Sequence, residues 1–425
     1  MHNSQARYQE LVYLINNHNH RYYVLSQPVV SDAEYDKLYC ELQTLEAAHP
    51  ELRQADSPTQ RVGSDLLSGF KSVRHACPVL SLGNIFSIED LDKRLDDLNY
   101  GSDTRWIVEP KIDGLSVILR FDKGLLVEGL TRGNGEFGDD VTNNARTIKS
   151  IPLRLLGSPD KIPEVLFVRG EIFIEFKVFM ELNEERKKAG LELFANPRNA
   201  ASGGLKLLDS RECARRRLSF IPYEIMTGDD KFLAALTDDQ HQITQTVLPG
   251  FGFQELSSVV SFSDKSELLD YITKFEALKA RLPYPTDGAV VKIQSRAART
   301  RWPDGTKDQK HSWAYKYQSE TADTKLKSIT IQVGRLGTLT PVANLEAITL
   351  DGSVIERATL CNRDYISRLG IDVGDIVKIQ KAGTIIPQIL SVTTKNLYIC
   401  PNCRFRGTLK EQEEKHNAET AGVRR

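Results

Sequence analysis

The stretch Glu109-Pro110-Lys111-Ile112-Asp113-Gly114 constrains this chain more than any other. It continues an apolar run, Trp106-Ile107-Val108, that reads as a buried strand. A second strand pattern runs from Ser116 to Phe121, and Gly114 supplies the turn between the two. A lysine therefore stands at a strand end with a carboxylate at i−2 and another at i+2. A free lysine amine has a pKa of about 10.4 and is almost all ammonium at neutral pH. To act as a nucleophile it must be held deprotonated by burial or by nearby cations. Glu109 and Asp113 pull the other way, so a nucleophilic Lys111 requires a cationic neighbour or a metal. Lys-x-Asp-Gly is short, and taken alone it is met more easily by a surface hairpin with a solvated lysine. The rest of the chain has to separate the two.

At 425 residues the chain is too long for one ordinary core, and roughly two to four domains are expected. Hydrophobic residues make up 40% and charged residues 27%, as in soluble globular proteins. The net charge of −1 rules out a global basic field, so any nucleic-acid surface has to be local. Met1 to His20 holds no basic segment followed by an apolar core, so no signal peptide is expected. No apolar run reaches membrane-spanning length, and no membrane partner is expected. Of the six cysteines only Cys400 and Cys403 form a close pair, which fits a reducing cytoplasm rather than a disulfide framework.

The first 50 residues read as two helices. Tyr8, Leu11, Val12 and Ile15 make one apolar face. Ser31-Asp32-Ala33-Glu34 is a capping box that starts the second, whose stripe is Tyr35, Leu38, Leu42 and Leu45. Asp32, Tyr35 and Asp36 share one face of its first turn. The helix dipole alone accounts for Asp32. Both acids together with Tyr22 and Tyr23 would instead make an acidic, aromatic cup for a cationic ring.

Asp56-Ser57-Pro58-Thr59 marks a linker. From about 69 to 319 the pattern is α+β. Strands are expected at 106–110, 116–121, 125–130, 165–174, 218–225, 286–293 and 311–318, and helices at 88–98, 177–188 and 266–281. From 322 to 393 the chain is β-rich, with turns at Gly334, Gly337, Gly352, Gly374 and Gly383, which suggests a small barrel. The tail from Lys395 holds the cysteine pair and then a charged, low-apolar end.

Charged residues recur at strand positions of the middle region. Arg132 lies in a glycine-rich turn, and Arg169 and Glu171 fall inside an apolar strand. Lys292 takes the face opposite Val291, and Lys316 the face opposite Trp313, Tyr315 and Tyr317. A lysine buried at a strand end is costly unless an anion meets it. Three lysines, an arginine and two glutamates in this pattern fit a phosphate pocket with a metal nearby.

At these residues the chain resembles the NAD-dependent DNA ligases of bacteria, in a match running from the first helix to about residue 404. Tyr22, Asp32, Ala33, Glu34, Tyr35 and Asp36 look like that family's nicotinamide-mononucleotide box. Ser57-Pro58-Thr59-Gln60-Arg61-Val62-Gly63 resembles its linker, and Leu80-Ser81-Leu82-Gly83-Asn84 its adenine-side segment. The stretch around Lys111 resembles its adenylation motif. Arg132, Glu171, Lys292 and Lys316 fall where it places nucleotide ligands. Asn196 to Ala201 resembles a segment contacting DNA phosphates, and the segments around Arg335 and Thr384 resemble its OB domain.

The resemblance implies a multidomain α+β fold. Its parts are a helical nicotinamide-mononucleotide-binding domain over 1–68, an α+β nucleotidyltransferase domain over 69–319, an all-β OB barrel over 320–396 and a short cysteine-containing tail over 397–425. It implies that Lys111 is adenylated by NAD with release of nicotinamide mononucleotide. AMP then passes to the 5′-phosphate of a nick in double-stranded DNA, and the 3′-hydroxyl displaces it, as DNA replication and repair require. Glu109 would read the adenine edge, with Ser81 and Leu82 beside it. Lys292 and Lys316 would offset charge on the α-phosphate, with Mg²⁺ (or Mn²⁺) assisting. Arg198, Lys206 and Arg335 would meet DNA phosphates, and the Arg215-Arg216-Arg217 run is either a further DNA contact or a solvated basic loop. A cytoplasmic monomer is expected.

The chain departs from the family in places. The family's zinc module has four cysteines, whereas no cysteine follows Cys403 here. Two thiolates do not close a tetrahedral site, so the expectation is a truncated or vestigial tail. The usual helix-hairpin-helix and BRCT segments do not follow either. Lys206 stands for a usual arginine and Cys361 for a usual histidine. His311-Ser312 replace Pro-Arg, a change expected to weaken a DNA or nucleotide contact while leaving the residues assigned to adenylation untouched. The alternatives are an ATP-using nucleotidyltransferase and a nick-binding protein that adenylates itself without sealing.

Overall fold

The computed structural model describes residues 2–399 and 406–407, without 24–29, 31, 55, 62–68, 100, 195, 306–307, 318–320, 334–338, 351–352, 361–362, 383–385 and 397. The chain forms two compact units, Met1–Tyr317 and Gln318–Arg425. No helix among the described residues is long and apolar enough to cross a membrane.

Two helices open the first unit: α1 (His2–Tyr23) and α2 (Asp32–Ala48). The expected stripes pack together, with Tyr8, Leu11, Val12, Ile15 and Leu42 buried and Tyr35, Leu38 and Leu45 against them. The linker is tied back by the buried Glu46, which accepts from Ser57 Oγ at 2.6 Å and Thr59 Oγ1 at 2.5 Å. Arg61 then anchors the helices to the rest of the unit. Its Nη1 donates to the carbonyls of Arg146, Ile148 and Ile151 at 3.2, 3.0 and 3.1 Å.

Among the described residues eleven strands follow in this unit. The first six are β1 (Ser72–Arg74), β2 (Ser81–Ile85), β3 (Trp106–Ile112), β4 (Leu115–Asp122), β5 (Leu125–Thr131) and β6 (Phe137–Asp139). The others are β7 (Val165–Phe173), β8 (Ser219–Gly228), β9 (Val260–Phe262), β10 (Thr286–Ile293) and β11 (Asp308–Tyr315). They make a five-stranded sheet of order β2-β11-β10-β3-β9, a four-stranded sheet of order β5-β4-β7-β8 and a small β1-β6 pair.

The side-chain period of two sorts each strand's residues between two faces. In the five-stranded sheet Trp106, Val108, Ala289, Val291, Ile293, Trp313 and Tyr315 pack with Leu91 and Leu95 of the helix Ile88–Asp97 and Leu268, Ile272 and Phe275 of the helix Lys265–Lys279. In the four-stranded sheet Val117, Leu119, Phe121, Leu166, Val168 and Phe220 enter a second core with the helix residues Ala200, Ala201 and Leu205. The opposite faces meet across a small third cluster of Ile107, Ile112, Phe173, Ile221 and Tyr284.

The turn at Gly114 is not a hairpin. It carries the chain from β3 in one sheet to β4 in the other. The backbone there passes so close to β7 that a Cβ on Gly114 would lie 2.2 Å from the Ile172 carbonyl oxygen. Only glycine fits.

Helices are more numerous than expected. Pro197–Leu205 and Ser210–Arg215, for example, are helical. They span two turns or so, too short to display a periodic apolar stripe. The end signal was nonetheless present: Asn196 caps the first of them, its side chain accepting from Asn199 N, with Pro197 in the first turn.

The second unit is a closed barrel of order β12-β13-β14-β16-β15, where β12 is Thr321–Val333, β13 Leu339–Leu350, β14 Ser353–Thr359, β15 Ile376–Ala382 and β16 Ile386–Thr394. Leu326, Ala343, Leu345, Ile355, Val377, Ile379 and Ile389 fill it. Gly374 turns with φ +97°; the other four glycines expected at turns lie outside the described residues.

Candidate active site

Between the two sheets of the first unit lies a cavity of about 500 Å³. Ten of the residues expected to bind nucleotide or DNA line it: Ser81, Leu82, Glu109, Lys111, Arg132, Glu171, Arg198, Lys206, Lys292 and Lys316. They come from β2, β3, β10 and the end of β11 on one side, and from β5, β7 and the helix Pro197–Leu205 on the other. The alternation that sends Trp106 and Val108 to the helices sends Glu109 and Lys111 into the cavity.

The two carboxylates flanking Lys111 do not hold it. Glu109 Oε2 meets Lys292 Nζ at 2.7 Å, and Asp113 Oδ1 meets Arg198 Nη1 at 2.5 Å. Lys111 Nζ is held by Asp287, at 3.0 Å from each carboxylate oxygen. Lys316 Nζ approaches the same carboxylate at 3.5 Å, so Asp287 stands between two ammonium groups. Asp287 reaches this point because Gly288 lets β10 close on β11; a Cβ there would lie 2.1 Å from the Tyr315 carbonyl oxygen.

Asp287 is the main residue that sequence reasoning missed. Its signal was the Asp-Gly that opens an apolar strand, a repeat of the Asp113-Gly114 pattern. Arg169, Tyr223, Glu224 and Arg299 also line the cavity. Arg169 donates to Ser116 Oγ at 3.3 Å and to the Leu80 carbonyl at 3.0 Å, and lies 3.6 Å from Glu224.

Burial governs the acids. It pushes the Glu109 carboxyl up from the usual range, against the opposing pull of Lys292. Asp113 is also pushed up by burial, opposed by Arg198. Burial raises Glu171 to about 7, with Lys111, Arg169 and Arg198 opposing. For a carboxyl whose folded pKa exceeds its unfolded value of 4.5, the contribution to stability is full below pH 4.5 and is lost as pH rises through about 7. Glu171→Gln removes that loss. Above pH 7 the variant's melting temperature is expected to exceed the wild type's, with the difference shrinking toward pH 4.5. Parallel melting curves across the range would refute this assignment.

The change to His311-Ser312 does touch this site, contrary to expectation. Ser312 pairs with Lys292 across β10 and β11 and lines the cavity. Burial, with the charges of Arg299 and Lys292 adding to it, lowers His311 to about 4, so it is neutral at pH 7. Both changes lie on a strand whose alternate residues face the cavity, which spacing alone did not reveal.

Arg198 and Lys206, read as DNA contacts, stand at the cavity; Lys206 Nζ meets Asp139 at 2.8 Å. Arg132 Nη1 donates to Ser81 Oγ at 3.3 Å. In the basic run Arg215 pairs with Glu212 at 2.7 Å, and Arg217 pairs with Glu181 at 2.6 Å and Glu185 at 2.9 Å. Arg216 lies over the Phe194 ring at 4.6 Å. Tyr35 is half-buried, its hydroxyl donating to Asn19 Oδ1 at 2.9 Å, and Glu34 is exposed. Tyr22 lies on α1, and Asp32, Ala33 and Asp36 on α2, but their side chains fall outside the described residues. Arg335, Cys400 and Cys403 also fall outside them. No group of three or more His, Cys, Asp or Glu among the described residues is placed to hold a metal ion.

Three family models match the chain in order. Residues 1–63 match the DNA ligase-like N-terminal NAD+-binding domain, 67–320 the NAD-dependent DNA ligase adenylation domain, and 323–397 the NAD-dependent DNA ligase OB-fold domain. A protein named DNA ligase from Desulforamulus reducens is 43% identical over 392 residues, covering 92% of this chain and 57% of its own length. One from Methylacidiphilum infernorum is 42% identical over 412 residues, covering 94% and 59%. One from Caldicellulosiruptor saccharolyticus is 44% identical over 391 residues, covering 91% and 56%. The chain thus spans less than three-fifths of the length of these relatives. On the adenylation-domain match over 67–320, which takes in the whole cavity, the chain belongs to the NAD-dependent DNA ligase family.

Proposed function

We propose that this chain catalyses NAD-dependent sealing of nicks in double-stranded DNA, with Lys111 as the nucleophile. The observation that carries the reading is the placement of Lys111 Nζ on Asp287, inside a cavity that also holds Lys292, Lys316, Arg132 and Arg198. The amine attacks the α-phosphate of NAD, and Asp287, 3.0 Å away, is placed to take its proton. Lys316 and Arg198 offset charge on the phosphate. Glu109, with Ser81 and Leu82, takes the base end, and Arg132 and Glu171 hold the ribose and its surroundings.

The N-terminal helices, through Tyr22, Tyr35 and the acids Asp32 and Asp36, hold the cationic nicotinamide-mononucleotide leaving group. The N-terminal NAD+-binding match supports NAD over ATP as the donor. AMP then passes to the 5′-phosphate, with Arg198, Lys206 and Arg335 on the DNA. Mg²⁺ (or Mn²⁺) would be held mainly by substrate phosphates and water, since no group of three or more acids among the described residues is placed to hold it. Such an ion would offset the charge developing at the α-phosphate. Cys400 and Cys403 supply two of the four ligands a structural zinc needs, so zinc takes no part in this reading. A cytoplasmic monomer is the setting it implies.

Incubation with NAD and Mg²⁺ is expected to add the mass of AMP to the intact protein, and incubation with ATP to add nothing. A nicked duplex is expected to be joined, read on a denaturing gel. An adduct from ATP alone would overturn the choice of donor; an adduct without joining would overturn sealing.

A further inference from the structure

A small cavity of about 30 Å³ shares no residue with the one that holds Lys111. Its polar walls are Asn16, Asn19 and His20 of α1, Arg61 of the linker, and Lys149 and Arg154 beyond it. No carboxylate among the described residues lines it, and Leu153 and Leu156 add apolar surface. Cations on a partly buried wall are costly unless each meets an acceptor. Arg154 is met by Asp56 at 2.5 Å. Arg61 is 4% exposed and sends Nη1 to the carbonyls of Arg146, Ile148 and Ile151. Lys149 has no such compensation. Burial pushes its ammonium down to about 8, the charge of Arg61 adds to that, and no carboxylate acts against it.

Asn19 gives an independent sign. It is 3% exposed, and its Oδ1 accepts from the Tyr35 hydroxyl at 2.9 Å. That bond leaves the amino end of the amide, and Nδ2 is buried without a partner among the described residues. Buried N–H groups are nearly always paired, and bonds that involve a charge are the strong ones. One water needs roughly 10–15 Å³ of such space, so the cavity takes a small ion and neither a sugar nor an aromatic ring. The donors come from separate segments of the chain, which suits an ion with several acceptor oxygens.

We propose that this cavity binds inorganic phosphate, held by Lys149 Nζ and Asn19 Nδ2 with the charge of Arg61 behind them. The ion ties α1 and the linker to the segment after Ile148. Tyr35, bonded to Asn19, belongs to the helix face expected to meet nicotinamide mononucleotide, so occupancy sets how firmly that helix pair is seated. No step of the reaction at Lys111 is needed for it.

The test is thermal melting in sodium phosphate against sodium chloride at equal ionic strength, with calorimetric titration of phosphate. The proteins are the wild-type chain, Lys149→Met and, as a control for phosphate in the Lys111 cavity, Arg198→Ala. Phosphate is expected to raise the melting temperature of the wild type and of Arg198→Ala by about 2 °C or more, and that of Lys149→Met not at all. If Lys149→Met does not fold, Lys149→Gln makes the same comparison. An equal rise in all three proteins, or a rise lost in Arg198→Ala and kept in Lys149→Met, overturns the site. So does a wild type that responds to chloride as it does to phosphate, since that is screening alone. A rise given by nicotinamide mononucleotide and not by inorganic phosphate overturns the small-ion assignment.

Discussion

Lys111→Ala is expected to carry no AMP after incubation with NAD and Mg²⁺, whereas the wild type gains one AMP per chain. Intact mass spectrometry reads the difference directly. The loss should be on the order of 10³-fold or more in adenylation rate, because in the proposed reaction this amine forms the bond to phosphorus and positioning cannot replace it. The other cavity lysines are poor substitutes. Lys292 is committed to Glu109 at 2.7 Å, and Lys316 lies 3.5 Å from an Asp287 carboxylate that Lys111 occupies at 3.0 Å with both oxygens. Lys111→Arg should fail as completely, since a guanidinium keeps its proton and spreads its charge. The alanine variant should still fold, because Asp287 retains Lys316. A folded Lys111→Ala that still gains AMP would move the nucleophile to another residue.

Lys292→Ala is expected to be the most destabilising single change in the cavity, at about 3–5 kcal/mol. Lys292 and Glu109 are 6% and 2% exposed, and each is the other's ion-pair partner. Removing the ammonium leaves a buried carboxylate whose second oxygen already lacks a partner. Burial raises Glu109 even with Lys292 present. Without it, the folded pKa rises further, so the variant's deficit should be small at acid pH and grow as pH rises through that pKa. Lys292→Met combined with Glu109→Gln removes both charges and should recover most of the stability. Urea unfolding of the wild type, Lys292→Met, Glu109→Gln and the double variant at two pH values closes the cycle, with Lys292→Ala run beside them. A Lys292→Ala deficit that is flat with pH, and not relieved in the double variant, would show that the pair is not what the chain loses.

Periodic elements were legible in the chain because their signal is local. Tyr8, Leu11, Val12 and Ile15 pack as their helical spacing requires, and the short strands after residue 320 close into a barrel. Most of the cavity was legible for the same reason. A charged residue at an alternate position of an apolar strand has to face something polar, and Lys111, Glu171, Lys292 and Lys316 all do. The pairing was not legible. Glu109 and Asp113 are near Lys111 in the chain, yet Lys292 and Arg198 take them in space. Asp287, 176 positions from Lys111, takes the lysine instead. His311 and Ser312 were read as a weakened DNA or nucleotide contact away from Lys292, because nothing local says which strand lies beside β11.

By itself, then, the order of residues determined the elements, the inward faces of the central strands and the family. These follow from periods of 2 and 3.6 and from short motifs, which are properties of neighbours in the chain. The tertiary structure alone decided that Gly114 is a crossing between sheets rather than a hairpin, that Asp287 holds Lys111 and that Ser312 lines the cavity beside Lys292. Each of those depends on which strands from distant parts of the chain lie side by side. That is set by the packing of two sheets against each other and against their helices, and no local pattern encodes it.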